Sequence, residues 1–450
     1  MHPSRAIHGG RSHLLEGRRV VLGVAGSIAA VESPRIAREL IRHGARVDVV
    51  MSAEATRIVT PEAMRFATGR PVVVQLTGDV EHVTHLGPGE GQADLMLIAP
   101  ATANTISKIA QGIDDTPVTS YASMALGGGV PLLLAPAMHE HLAGNPAVTA
   151  NLARLREWGV GVIAPASAEG EAKIASPEEI AAEVLHRLAR GPLAGRRVLV
   201  IGGASREPID AVRSITNESS GETAVQLAIQ AFHRGATVTL WAGALQVPVP
   251  RFVPQVPWRT VDELLGLVRA NGAAIGSTDL LLVPAALSDY TLTPARGKIS
   301  SRATPELVLR LSRAPKVLPE LRRRLPDGGL LVGFKLVADR TAAELSAEAL
   351  DLLHENGLDV VVANDRAVMG SPRAAAFVHT ARKARHWLEG PKAEFAGKLL
   401  DDLGRMLAEA GPHTRSPAGA SSGPRHRAGR PGRAGGRRGR RPTRAVGRSS

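Results

Sequence analysis

A chain of 450 residues is too long for one ordinary domain and predicts two or three. Apolar residues make up 44% and aromatic residues only 3%, so the core must be built from Ala, Val, Leu and Ile, a palette suited to parallel strands covered on both faces by helices. The absence of cysteine excludes disulfides, zinc–thiolate centres and thiol nucleophiles, and the net charge of +13 raises the question of a nucleic-acid partner.

The N-terminal stretch before Val20 lacks the apolar centre of a signal peptide, and no run of 18 clean apolar residues follows, so no membrane partner is expected and a cytoplasmic location fits. One phrase then occurs twice. Leu15-Glu16-Gly17-Arg18-Arg19-Val20-Val21-Leu22 returns as Leu193-Ala194-Gly195-Arg196-Arg197-Val198-Leu199-Val200. Each is a polar lead-in, an apolar run and then glycine, as where a first parallel strand enters a phosphate-binding turn. In the first half, strands are expected near 20–24, 46–51, 94–99, 130–135 and 160–164, with a helix over 28–43 and another starting at Ser176-Pro177. Arg190-Gly191-Pro192 ends the helix and marks a boundary, giving domains 1–190 and 191–410. In the second half, strands are expected near 197–201, 236–241, 280–284, 330–334 and 359–363, with helices near 221–234 and 341–356. The alternation predicts an α/β chain of two doubly wound, mostly parallel Rossmann-like sheets that bind ligands at the carboxyl ends of their strands. Residues 411–450 hold eleven arginines and no carboxylate, and removing them leaves +2 for the other 410 residues. This Gly/Pro/Arg-rich segment cannot bury a core and is expected to be disordered. Any nucleic-acid contact is confined to it.

Glycines and small hydroxyls sit where the first sheet should bind. Gly26 and Ser27 follow the first strand, Ser52 the second, and Ala99-Pro100-Ala101-Thr102-Ala103-Asn104-Thr105 the next. The turn is not G-x-G-x-x-G, and no carboxylate ends the second strand to hold a ribose, so a single phosphate or a flavin edge fits better than a dinucleotide. The same residues also serve as ordinary helix caps. With Gly112-Ile113-Asp114-Asp115 and Ala135-Pro136-Ala137-Met138, residues 17–190 resemble the flavin-containing cysteine decarboxylases of coenzyme A synthesis. The resemblance implies FMN held by Gly26, Ser27, Ser52, Thr102, Asn104, Thr105, Asp115 and Met138. It also implies a catalytic histidine in Glu81-His82-Val83-Thr84-His85-Leu86, with His82 in register and His85 its rival. The sequence departs from the common bacterial pattern at His139, in place of an asparagine, and at Lys173, in place of a cysteine in a substrate flap. Both residue types bind carboxylates, and both departures are similar to those of archaeal-type relatives.

In the second half, Arg206-Glu207-Pro208-Ile209-Asp210, Val212-Arg213 and Ile215-Thr216-Asn217-Glu218-Ser219-Ser220-Gly221 resemble the phosphopantothenate–cysteine ligases. So do Ala285-Ala286-Leu287-Ser288-Asp289-Tyr290, Gly297-Lys298-Ile299 and Val332-Gly333-Phe334, with Ala363-Asn364-Asp365 closing the domain. The resemblance implies catalytic roles for Asn217 and Lys298. It gives Arg206 and Asn217 to the substrate and Ser219, Ser220, Gly221, Asp289, Lys298 and Phe334 to the nucleotide. Substrates would be 4′-phosphopantothenate, cysteine and CTP with Mg2+, CTP being favoured over ATP by family type, and no metal ligand in the chain is identified. Glu222 stands where such ligases carry lysine, and the lysines expected before Ala363-Asn364-Asp365 are missing. Relatives assemble through trimeric decarboxylase and dimeric ligase contacts, so a homo-oligomer is expected. Two further readings are a decarboxylase with a degenerate ligase half and a non-catalytic flavoprotein subunit that binds protein phosphatases.

Overall fold

The repeated phrase builds the same latch twice. In a computed structural model, which describes residues 2–168, 171–302, 306–337, 341–365, 370–381 and 385–409, Arg18 donates to Asp94 at 2.7 Å and the Arg19 N–H donates to the same carboxylate at 2.9 Å. Arg196 and the Arg197 N–H do the same to Asp279, at 3.0 and 2.8 Å. Each aspartate opens the strand that pairs on one side of the first strand. A charge-assisted pair and a backbone bond thus set the register of the sheet's centre.

The first sheet contains β1 (Arg19–Val24), β2 (Arg46–Met51), β3 (Val72–Val73), β4 (Leu95–Ala101), β5 (Leu132–Pro136) and β6 (Gly161–Val162). All are parallel, in the order β3-β2-β1-β4-β5-β6. Every residue of β4 is buried, as expected of a strand covered on both faces. The helix expected over 28–43 is two pieces, a 3₁₀ turn at Ile28–Glu32 and then α1 (Ser33–Arg42). Pro34 sits in the first turn of α1, where its missing N–H costs nothing, so the helix restarts there. Three more helices matter below: α2 (Glu81–Leu86), α3 (Ala103–Gln111) and α4 (Pro117–Gly127). The last helix of this half, α5 (Pro177–Leu188), has the anticipated Ser176 cap, reinforced by Glu179 in a capping box.

The second sheet contains β7 (Arg197–Gly202), β8 (Thr237–Ala242), β9 (Gln255–Pro257), β10 (Leu280–Val283), β11 (Leu330–Val337) and β12 (Val360–Asp365). Its parallel part runs β9-β8-β7-β10-β11-β12, the same winding as the first sheet. The domain does not close at Asp365. Two antiparallel strands, β13 (Arg373–Thr380) and β14 (Arg385–Pro391), extend the edge and lead into α8 (Lys392–Glu409). The helices expected near 221–234 and 341–356 are α6 (Glu222–His233) and α7 (Ala342–Asn356). Apolar residues of α6 and α8, including Leu227, Phe395, Leu399 and Leu403, cover one face of the sheet. Burying each such side chain is worth about 1.5–3 kcal/mol.

The halves touch through α5 and α6, where the His186 and Phe232 rings stack with centroids 4.2 Å apart. Arg251 grips Glu179 with two bonds of 2.9 and 2.8 Å. Among the described residues, no helix is long and apolar enough to cross a membrane. The tail at 411–450 lies outside the described residues, as does Gly170 of the flap.

Candidate active sites

Strand order reverses between β1 and β4, and the turns leaving these strands open a crevice at the carboxyl end of the first sheet. Gly26 packs so closely on Glu54 that an added Cβ would collide with that side chain's own Cβ. The hydroxyls around it are all helix caps. Ser27 accepts from the Ala29 N–H at 3.3 Å, Ser52 from Ala55 at 3.2 Å, and Thr102 from Thr105 at 3.1 Å. These bonds fix the hydroxyls, while α3 contributes the positive end of its dipole.

Gly26, Ser27, Ser52, Thr102, Asn104, Thr105 and Met138 line one cavity of about 380 Å³. The structure therefore gathers seven of the eight residues proposed for the cofactor. Asp115 does not line it. It is salt-bridged at 2.7 Å to Lys108, and the ammonium faces the cavity instead. Thr116 and Thr119, joined in a capping box that starts α4, also line it and were not singled out in the sequence. Ser27 and Met138 open onto a second, larger space of about 690 Å³ that holds His139, Lys173, Arg35 and Glu178. Both departures from the bacterial pattern thus face the same volume.

His82 and His85 are elsewhere. They lie on α2, against α4, and line none of these cavities. The His85 ring Nδ1 is 2.9 Å from the Tyr121 hydroxyl. Burial pushes the His85 pKa down, partly opposed by the Asp48 carboxylate, and burial pushes the Tyr121 phenol up. Among the described residues, the buried Nδ1 of His82 has no hydrogen-bond partner. Both rings lie near that of Tyr121, and His85 alone bonds to its hydroxyl.

The second sheet reverses between β7 and β10, and a cavity of about 670 Å³ opens there. Gly221 caps α6 with φ +72°, a conformation that glycine adopts without strain, and its neighbour Leu245 leaves no room for a Cβ. Asn217, Ser219, Ser220, Gly221, Asp289 and Phe334 all line this cavity. Asn217 donates through Nδ2 to the Leu287 carbonyl at 2.9 Å, tying the two loops of the switch point together. Asp289 is paired with Lys316 at 2.8 Å.

Two expected members stand apart. Lys298 is exposed and does not line the cavity, because its loop docks on Asp210, whose carboxylate accepts the Ile299 N–H at 3.1 Å. Arg206 begins a short hairpin (Arg206–Pro208 with Ser214–Thr216) and is exposed, with its N–H bonded to the Arg259 carbonyl. The cations that do face the cavity are Lys335, Arg373 and Lys392, none of which the sequence had suggested. They come from β11, β13 and α8, and two of these elements lie beyond Asp365, the end of the last motif that the resemblance rests on. Among the described residues, no group of three or more His, Asp or Glu is placed to hold a metal ion.

The fold and its two crevices define a two-site α/β enzyme, one site rich in hydroxyls and helix N-termini and the other lined by both cations and carboxylates. The family description "Flavoprotein" matches residues 9–189, and "DNA/pantothenate metabolism flavoprotein C-terminal domain" matches residues 193–406. The chain is 42% identical to the "Coenzyme A biosynthesis bifunctional protein CoaBC" of Thermococcus kodakarensis over 408 residues, covering 90% of this chain and all of that one. The protein of the same name from Methanocaldococcus jannaschii is 34% identical, over 90% of this chain and 98% of its own. A solved structure of the C-terminal domain of a protein of that name aligns with 49% of this chain and 100% of its own, at 26% identity and a TM-score of 0.40. The chain belongs to the family of bifunctional coenzyme A biosynthesis proteins. It is an enzyme with decarboxylase and ligase activities.

Proposed function

We propose that residues 191–410 join 4′-phosphopantothenate to cysteine at the expense of CTP, and that residues 1–190 decarboxylate the product with FMN to give 4′-phosphopantetheine. The observation that carries this reading is the pair of chemically distinct cavities at equivalent switch points of two sheets.

In the first half, the fixed hydroxyls of Ser27, Ser52 and Thr102, the α3 N-terminus and Lys108 suit a flavin phosphate. Bound FMN would supply the two-electron chemistry that makes loss of CO₂ from a cysteine moiety feasible. His139 and Lys173 offer hydrogen-bonding groups for the substrate carboxylate. His82 is the candidate base, and its distance from its own cavity fits a site completed by a second copy of the chain, as in a trimer. Several large apolar side chains of this half are exposed, with Ile28 at 79%, Phe66 at 59% and Val83 at 42%, which suits such an assembly.

In the second half, Asn217 is positioned to hydrogen-bond an acyl-nucleotide, and Ser219, Ser220 and Gly221 present a helix start to phosphate. Lys298 is proposed to reach the triphosphate when its loop leaves Asp210, with Mg2+ carried in on the nucleotide. A dimeric contact between ligase halves and a cytoplasmic location complete the proposal, the latter resting on the pathway.

The test is to supply phosphopantothenate, cysteine and CTP to the purified chain and to follow pyrophosphate and CO₂ separately. Pyrophosphate should appear first and depend on CTP. CO₂ should require both cysteine and bound flavin. CO₂ released from supplied phosphopantothenoylcysteine by flavin-free protein would overturn the assignment of the first half. Equal rates with ATP would remove CTP from that of the second.

A further inference from the structure

A fourth cleft, of about 320 Å³, lies between α1, the start of α5 and the N-terminal loop. It is lined by Arg11, Arg35, Arg38, Arg42, Glu39 and Glu178, four guanidinium groups against two carboxylates. Arg35, Arg38 and Arg42 fall on one helical face by their spacing. Glu39 is already committed: its side chain is 2% exposed and takes Arg11, Arg42 and His43 as partners. Burial alone would raise its pKa, but the bond from His43 and the Arg11 and Arg42 charges hold it below the usual carboxylate range, so it stays anionic and satisfied. Arg35 has Glu32 at 3.0 Å on the exposed rim. Glu178 is half-exposed and 3.9 Å from Arg11.

Arg38 is the remainder. Its Nη1 is buried and has no hydrogen-bond partner among the described residues. A buried charged donor left unpaired is costly, so Arg38 is the group of this cleft with hydrogen-bonding capacity to spare. The planar guanidinium fork matches phosphate oxygens. The cleft also adjoins the large first-half cavity, since Arg35, Pro177 and Glu178 line both.

We propose that this cleft is a phosphomonoester-binding subsite, with Arg38 as its central donor and Arg35 and Arg11 at its rim. Two ligands offer that chemistry. One is the far end of the decarboxylase's own substrate, anchored by its carboxylate at His139 and Lys173, a case that rests on the proposed function of that cavity. The other is a separate phosphorylated metabolite that reports on flux. The three residues common to the cleft and that cavity favour the first.

The full-length chain provides the test, with Arg38→Met keeping the apolar stem and Arg38→Lys keeping the charge. Inorganic phosphate, titrated by calorimetry, should bind the native chain and should bind Arg38→Met at least about tenfold more weakly, the loss of one charge-assisted contact. The KM for phosphopantothenoylcysteine should rise by a similar factor in Arg38→Met, recover in part in Arg38→Lys, and stay within twofold for the dephosphorylated substrate. That split assigns the subsite to the substrate. Weakened phosphate binding with both KM values unmoved assigns it to a separate metabolite and still upholds the site. Phosphate binding that is absent, or equal in native and Arg38→Met chains, overturns it. Because calorimetry needs no turnover, a failure of the decarboxylase assignment would show independently, as absent CO₂ release.

Discussion

Lys392 Nζ lies 2.6 Å from Glu222 Oε2 on the wall of the second cavity, joining the first residue of α8 to the first residue of α6. The Lys392 side chain is 9% exposed, so the pair is largely shielded from water. Glu222 occupies the place where the ligases that this half resembles carry lysine. Here a lysine from the other helix start stands beside that position, held by the glutamate.

Removing either partner should therefore have opposite effects on nucleotide use. Glu222→Gln frees the ammonium to meet a triphosphate, and the nucleotide KM should fall severalfold. Lys392→Met removes it, and the KM should rise about tenfold, the worth of one charge-assisted contact. Initial rates of pyrophosphate release against nucleotide concentration give both values. If the two variants only melt at lower temperature with unchanged KM, the pair is a fastener between helices and nothing more.

The two histidines of α2 should separate cleanly. His82→Asn should stop CO₂ release from supplied phosphopantothenoylcysteine while flavin content and pyrophosphate formation persist. His85→Asn loses a bond to Tyr121 and should cost stability, about 1 kcal/mol, more than it costs turnover. Because His82 lines neither of the two first-half cavities described above, its defect should be rescued in mixed assemblies with a cavity-defective chain that retains His82. An inactive mixture would place base and cavity within one chain.

Much of this was legible in the sequence for a physical reason. Strand β1 and the caps Ser27, Ser52 and Thr102 are local: an apolar run and a hydroxyl before a helix announce themselves over a few residues. Lys392 and Arg373 were not legible, because an antiparallel edge hairpin brings them to the cavity from beyond the point where the sequence pattern seemed to finish. Asp94 and Asp279 were hidden likewise. Each looks like an ordinary polar residue before a strand, and only its pairing with Arg18 or Arg196 shows the latch. Lys298 was readable as a motif but not as a position, since Asp210 decides where its loop rests.

Flavin retention should depend on the close packing at Gly26. The full-length chain should purify yellow, with absorbance that denaturation releases as free FMN. Gly26→Ala forces a methyl against Glu54 and should displace the turn that carries Ser27, leaving protein with much less flavin. Thr102→Val should be milder, losing a helix cap worth about 1 kcal/mol and one fixed hydroxyl. Pyrophosphate formation should continue in both. Gly26→Ala protein as yellow as the native chain would remove this turn from the flavin site.

The docked loop of Lys298 makes the most exacting case. The Asp210 carboxylate accepts the N–H groups of Val212, Arg213 and Ile299, and the first two of these bonds do most to hold its pKa down to about 2. A folded-state pKa below the ordinary value means that the docking is fully supported above about pH 4 and fades as pH falls toward 2. At neutral pH the loop is therefore held, and Asp210→Ala should release it, seen as faster proteolysis between Thr293 and Arg302. If Lys298 acts on the triphosphate, Lys298→Gln should cut pyrophosphate formation by about 10²–10³-fold, with or without cysteine. Asp210→Ala should then change that rate far less, since the lysine remains and only its resting place is lost. Asn217→Asp should form pyrophosphate but pass slowly to the amide, because the activated acyl group loses the Nδ2 donor. Decarboxylation of supplied phosphopantothenoylcysteine should be untouched in all three. Normal pyrophosphate release by Lys298→Gln would show that Lys335, Arg373 and Lys392, already facing the cavity, carry the charge alone.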